Sequence, residues 1–209
     1  MIRFEHDQFR CPGYFIKAAA APFEKAGAAA LRKRVFVDEQ KIFKDHDSDT
    51  IDAVATTLVA LSTYAHEPDE VVGTVRIHEP EPGLWWGSRL AVDRRFRTVA
   101  RLGQQLIQLA VSTANGRGCH TFLAHVQAQN VPLFQKLAWS VEDEVDLHGF
   151  PHALMRADLS RYPPIADPES GWLSLVGGEG AARASVPRPV CHDVPALLAQ
   201  HWHVDGSRA

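Results

Sequence analysis

Leu102, Leu106, Leu109 and Ala110 recur at helical spacing until Gly116 and Gly118, and the apolar run that follows at once, residues 121–126, has the length and make-up of a buried strand. A helix that feeds directly into such a strand buries its apolar stripe on a sheet, which points to the fold classes where helices cover strands. The flanks supply the rest of the order. Residues 14–20 read as a strand, and residues 23–37, rich in alanine with Leu31 and Val35 four apart, read as a helix. Residues 57–64, 71–78 and 85–92 form an antiparallel meander, the last two joined across the turn-forming Glu79-Pro80-Glu81-Pro82-Gly83. Beyond the central strand, 129–137 is a short helix with Pro132 in its first turn, where a missing N–H costs little, and 141–147 with 152–159 make a hairpin across Gly149-Phe150-Pro151. The expected fold is α/β (α+β), a mixed and mostly antiparallel sheet with flanking helices.

With 209 residues, 45% apolar and 22% charged, the chain can bury the core of one generous domain. Its character changes near Asp158, after which Pro163-Pro164, Gly177-Gly178, Gly180, Pro187 and Pro189 punctuate the sequence. A folded domain over 1–160 and a tail over 161–209 are expected, with one short helix at 194–202. Lys plus Arg number 22 and Asp plus Glu 25, and the net charge of −3 offers no general attraction for nucleic acid. Cys11, Cys119 and Cys191 are odd in number and contain no C-x-x-C pair, which argues against a disulfide framework and a structural zinc site. His201-Trp202-His203 with Cys191 and His192 shows no ligand spacing. Asp45-x-Asp47-x-Asp49 has Thr50 and Thr56 where a calcium loop needs glycine and glutamate, so no metal is expected. The charged first residues do not make a signal peptide, and no stretch has the ~18 apolar residues of a membrane span. The expected setting is cytoplasmic, without membrane contact.

One short segment has the make-up of an anion site. A helix start presents unpaired N–H groups and about half a positive charge, so the turn 98–103, which opens the long helix, suits a pyrophosphate. Gly103 lets backbone and phosphate approach closely. Arg94, Arg95, Arg97 and Arg101 crowd the same segment, which fits a phosphate-rich ligand or a solvated basic loop.

Leu31-Arg32-Lys33-Arg34-Val35-Phe36-Val37-Asp38-Glu39-Gln40 matches the pattern L-R-x-x-V-F-V-x-E-Q. Gly103-Gln104-Gln105-Leu106 opens the long helix, and Gly149-Phe150-Pro151-His152-Ala153-Leu154-Met155 matches G-x-P-H-x-x-M. In these segments and in element order the chain resembles the GNAT acyltransferase superfamily over roughly residues 31–159. Within it, the resemblance is to the ElaA-like branch and to domains named nitrogen-starvation or nitrilase-cluster acetyltransferases. Ser88-Arg89-Leu90-Ala91-Val92 is also similar to a strand of acyl-homoserine-lactone synthases. The resemblance implies acetyl-CoA held between two splayed strands. The main chain of Leu90, Ala91 and Val92 would pair with the pantetheine amides. Arg97, Thr98, Ala100, Arg101, Leu102, Gly103 and Gln104 would surround the pyrophosphate, with the CoA 3′-phosphate as a partner for the arginines. Asn130 would face the cofactor arm, cap its own helix, or both. The sequence departs from the family's Q/R-x-x-G-x-G/A at Thr98 and Arg101, in a loop one residue longer. Phe134 stands where many members carry the tyrosine that protonates the departing CoA sulfur, and Ser88 where some carry a base-bearing glutamate.

The implied reaction is acetyl transfer to a small primary amine by direct attack in a ternary complex. Deprotonating a lysine-like amine of pKa about 10.4 at pH 7 costs ~4.6 kcal/mol, so a general base is wanted. The candidates are Glu39 at the end of the first helix, His152 in the Pro-His-x-x-Met strand, and His125 at the end of the strand beside the cofactor. Their respective alternatives are a surface carboxylate, a structural hydrogen bond and packing in the core. Asp45-His46-Asp47-Ser48-Asp49 fits a solvated turn or a lure for a cationic amine. Trp85-Trp86 fits sheet packing, a homodimer contact or a wall of the acceptor pocket. Two rival functions stay open: an acyl-homoserine-lactone-synthase-like enzyme using longer chains, and a CoA-binding sensor domain without catalysis, which Phe134 and Ser88 motivate.

Overall fold

The structure, a computed structural model, describes residues 13–64, 67–147 and 149–175. Strand β1 (Gly13–Ala18) leads into helix α1 (Pro22–Arg32), where Pro22 occupies the first turn without loss. The Glu24 carboxylate turns back to accept the Ala20 and Ala21 amides at 2.7 and 2.9 Å and Lys17 at 2.7 Å. The α-helix expected to reach residue 37 stops at Arg32 and continues as a π-helix, Lys33–Glu39. Val35, Phe36 and Val37 are all buried. Three successive inward side chains exceed the stripe that a 3.6-residue turn can present, and the wider turn accommodates them.

Strands β2 (Thr56–Tyr64), β3 (Glu67–Glu81) and β4 (Leu84–Val92) form the expected meander. Helix α2 (Leu102–Gly116), strand β5 (Thr121–Gln127), helix α3 (Val131–Lys136) and the hairpin of β6 (Trp139–Leu147) and β7 (Phe150–Ala157) follow. With β8 (Trp172–Leu175) they make one eight-stranded sheet in the order β6-β7-β5-β4-β3-β2-β1-β8. Every neighbouring pair is antiparallel except β4 with β5. Along β2 the burial alternates in allegiance: Leu58 and Ala60 join the core under α2, Val59 and Leu61 the core under α1. Helices on both faces thus explain a strand that is apolar at successive positions.

The boundary expected at residue 160 falls short. The Ile165 amide donates to the Ser112 carbonyl at 2.9 Å, Ala18 donates to Pro168 at 2.7 Å, and β8 pairs with β1 from Ile16↔Trp172 to Gly13↔Leu175. Gly116, expected to stop α2, is its last residue. Its role is steric, since a Cβ there would collide with the Ile165 carbonyl, while Gly118 at φ +85° makes the turn. The helix expected at 194–202 lies outside the described residues. No helix among the described residues is long and apolar enough to cross a membrane.

Candidate active site

β4 and β5 pair only from Leu84↔Thr121 to Gly87↔Ala124. Beyond that point β4 runs on along β3 to Val92 and β5 along β7 to Gln127, so two backbone edges part and face each other across a gap. A bulge accompanies the parting. Ser88 to Ala91 oppose Arg76 to Thr74, one residue more on β4, with Arg89 at φ +55°. The gap opens into a cavity of about 600 Å³ walled by Trp86 and Leu90 of β4, Phe122 and His125 of β5, Ile107 and Val111 of α2, and Asn130, Phe134 and His152.

Three imidazoles border this cavity, those of His78, His125 and His152. His152 Nδ1 lies 2.8 Å from the Phe150 carbonyl oxygen. A carbonyl can only accept, so Nδ1 carries the proton and Nε2 of the neutral ring keeps a free lone pair. His125 packs against Trp86 with ring centroids 5.0 Å apart, and burial, followed by the nearby His152, holds its pKa below the ordinary imidazole value. His78 is not among the residues picked from the sequence. Its Nδ1 is buried without a hydrogen-bond partner among the described residues, and burial together with Arg76 lowers its pKa. A signal existed: two places after Arg76 in a strand, it shares that residue's face.

Glu39, the candidate base at the end of the first helix, is engaged in an ion pair. Arg97 forks onto its carboxylate at 2.5 and 2.7 Å, and these hydrogen bonds hold the Glu39 carboxyl below its usual range. The same pair engages Arg97, one of the arginines expected around the pyrophosphate. Neither residue borders the cavity. The acidic loop is occupied as well. Arg32 bonds Asp47 at 2.6 Å and Asp52 at 2.6 and 3.0 Å; Arg76 bonds Asp49 at 2.6 and 3.0 Å and Asp52 at 2.8 Å; Arg89 reaches Asp47 at 3.1 Å and Asp49 at 3.2 Å. Three guanidinium groups balance three carboxylates, so the loop is no lure for a cationic amine. Hydrogen bonds from Arg76 keep Asp49 ionised to lower pH, and Asp52, which burial pushes up, is drawn down further by Arg32 and Arg76. Arg76, 2% exposed, also donates to Ser88 Oγ at 3.0 Å, which makes Ser88 a buttress. Trp85 is in the core and Trp86 in the cavity wall.

At the turn, Ala100 and Arg101 are both left-handed, at φ +48° and +49°. The Leu102 amide bonds Val99 at 3.3 Å, and those of Gln104 and Gln105 bond Arg101 at 3.0 and 3.2 Å, so the helix start satisfies more of its own donors than a bare terminus does. Leu102 and Ala91 are 0% and 3% exposed, so neither offers its side chain to a ligand. At Gly103 a Cβ would meet only Val92 Cγ2, at 3.8 Å, among the described residues. The chain's own packing does not require a glycine there, and the bare surface beside Val92 fits a closely approaching phosphate. Thr98 is exposed on the turn, whereas Ala100, Arg101 and Gln104 border a second cavity, of about 750 Å³. Asn130 makes no capping bond with its side chain. Phe134 packs edge-on against Trp139 with centroids 5.0 Å apart.

Residues 27–139, more than half of the chain, match the family model described as Acetyltransferase (GNAT) family. The chain belongs to the GNAT family. Three solved structures share its fold. A Lactobacillus plantarum protein assigned as an N-acetyltransferase is 25% identical with a TM-score of 0.62, over 70% of this chain and 98% of that one. Escherichia coli ElaA is 19% identical with a TM-score of 0.57, over 69% of this chain and 98% of its own. The CoA-dependent acyl-homoserine lactone synthase BjaI, solved with SAM and isopentyl-CoA, is 18% identical with a TM-score of 0.58, over 76% of this chain and 94% of its own. The last two likenesses are of fold. No curated protein matches the chain in sequence. The GNAT match stops at residue 139, so β7, β8 and the segment between them lie beyond it.

Proposed function

We propose that this GNAT chain is an acetyl-CoA-dependent N-acetyltransferase acting on a small primary amine by direct attack in a ternary complex. The parting of β4 and β5 carries the reading, because it sets two free backbone edges and the imidazoles around one cavity. The family match supports acyl transfer, and the segment from Leu31 to Gln40 supports a place in the ElaA-like branch. When bound, acetyl-CoA supplies a thioester whose acetyl group passes to the amine. The main chain of Leu90, Ala91 and Val92 holds the pantetheine amides and polarises the carbonyl at the bulge. His152 Nε2 accepts the amine proton, with the neutral His125 beside it. Phe134 offers no proton, but a thiol of pKa about 8.5 leaves as thiolate at a cost of only ~2 kcal/mol at pH 7, within reach of solvent protonation. Cys119 borders neither cavity, and burial pushes its thiol up to about 11, which favours direct transfer over a covalent relay.

Calorimetric titration with acetyl-CoA and with free CoA tests this reading. Micromolar binding weakened by Gly103→Trp, followed by thiol release with members of an amine panel, is the expected result. Tight CoA binding without turnover of any amine supports the sensor reading, which the buried Phe134 favours. No binding by folded protein overturns both.

A further inference from the structure

The cavity between β4 and β5 has walls on both faces of the sheet. Ile107 and Val111 of α2 with Phe122 belong to the larger core on one face, whereas Phe36 of the π-helix, with Ile42 and Phe43 after it, packs in the core under α1 on the other. The imidazoles stand together on the second face. His78 and Arg76 are the cross-strand partners of Trp86 and Ser88, and His152 is the partner of Gln127, two places from the His125 that packs on Trp86. His152 lies on β7 and His78 on β3. Because β7, β5, β4 and β3 are neighbours in that order, the backbones of these two histidines are about 14 Å apart across the sheet.

Charge on this face is already matched. Asp49 is the one carboxylate bordering the cavity among the described residues, and both of its oxygens are filled. Oδ1 accepts from Arg76 at 2.6 Å and the Ile51 amide at 3.0 Å, and Oδ2 accepts from Arg76 at 3.0 Å and Arg89 at 3.2 Å. A second ammonium on an acceptor would lose hydration beside Arg76 and Arg89 and meet no free carboxylate. His78, by contrast, borders the cavity with hydrogen-bonding capacity unused. Its Nδ1 is buried without a partner among the described residues. A proton there would be an orphaned buried donor, the rarer defect in folded proteins, so the neutral ring carries its proton on Nε2. Nε2 is neither buried in that way nor bonded to a described residue, which leaves it as a donor at the cavity wall.

We propose that His78 determines acceptor specificity, its Nε2–H donating to an oxygen at the far end of an acceptor that carries a single amine and an apolar body long enough to reach from His152 to His78. Trp86, which pairs with His78 across the strands and packs on His125, is the wall along which that body lies. The inference rests on the acyl-transfer function proposed above and names the class of amine for that site.

Thiol-release rates of the full chain with acetyl-CoA test the assignment, with phenylalkylamines of increasing chain length, each paired with its para-hydroxyl counterpart, and α,ω-diamines of matching length. At the length that spans the two histidines, the hydroxyl is expected to raise kcat/KM roughly fivefold to tenfold, the effect of one hydrogen bond. Diamines should be the poorest acceptors. His78→Phe keeps a ring without the donor and should bring the hydroxyl ratio to about one, while His78→Gln, whose amide can donate, should retain part of it. The readout is a ratio within each variant, so a general loss of activity does not imitate it. A hydroxyl ratio near one at every length in the parent, a ratio that survives His78→Phe, or diamines turned over as fast as monoamines overturns the assignment and leaves the proposed function standing. Turnover of no amine by protein that binds acetyl-CoA overturns the transferase reading and this assignment together.

Discussion

Arg97 and Glu39 face each other as a fork, Nη1 to Oε1 at 2.5 Å and Nη2 to Oε2 at 2.7 Å, and so join the phosphate turn to the end of the π-helix. The side chains are 40% and 38% exposed, so the pair contributes only about 0–1 kcal/mol to stability. Its consequence is chemical, because a carboxylate held by a guanidinium is a poor proton acceptor.

Glu39→Gln is therefore expected to leave the acid limb of the rate–pH profile where the parent has it. His152→Gln should lose that limb and lower kcat by roughly 10²–10⁴. Initial rates across the pH range check both, and an unchanged profile in the His152 variant would remove Nε2 from the reaction.

His125 and His78 both have lowered pKa values, caused first by burial. The folded state resists their protonation, so between the lowered values and the ordinary ~6.5 the unfolded chain binds more protons and stability rises with pH. The melting temperature should fall as pH drops below about 6.5. The depressed carboxylates Asp49 and Asp93 act in a separate interval, since their contribution is complete above about pH 5 and is lost only below it. Replacing His78 and His125 together by glutamine should flatten the upper interval alone, and an undiminished slope there would count against their neutrality in the fold.

Gly103 and Gly116 stand at opposite ends of α2, and alanine is expected to act oppositely at the two. At Gly116 an added methyl meets the Ile165 carbonyl, so Gly116→Ala should lower the melting temperature although alanine is favoured in helices by up to ~1 kcal/mol. At Gly103 the methyl meets only Val92 at 3.8 Å among the described residues, so Gly103→Ala should keep or raise the melting temperature while weakening CoA binding. Thermal melts and calorimetry separate the two effects. Parent-like CoA affinity in Gly103→Ala would take the phosphate off this surface.

Arg76→Met leaves Asp49 and Asp52 without the guanidinium that both share, with a predicted loss of about 3 kcal/mol in urea unfolding. Arg76→Lys should rescue little, because one ammonium cannot span Asp49, Asp52 and Ser88 as the planar fork does. A lysine variant with the parent's unfolding midpoint would show that the network needs charge alone.

The order of strands and helices was legible because each element writes its own burial into its periodicity. Leu102, Leu106 and Leu109 mark the buried stripe of α2, and the successive apolar residues of β2 mark a strand covered on both faces. The family segment from Leu31 to Gln40 was legible for the same reason, since residues that lie close in the chain carried it.

Pairing between distant parts of the chain was left to the tertiary structure. Glu39 finds Arg97 at a separation of 58 residues, and Asp47, Asp49 and Asp52 find Arg32, Arg76 and Arg89. Read alone, those carboxylates are indistinguishable from free ones. The four residues of β8 have too short a pattern to declare a strand, and they become one because β1 presents an open edge and Gln105 receives Trp172. Periodicity along a chain records which side of an element is buried. Which donor meets which acceptor once water is excluded depends on where the whole sheet brings them, and that is decided only when the chain has folded.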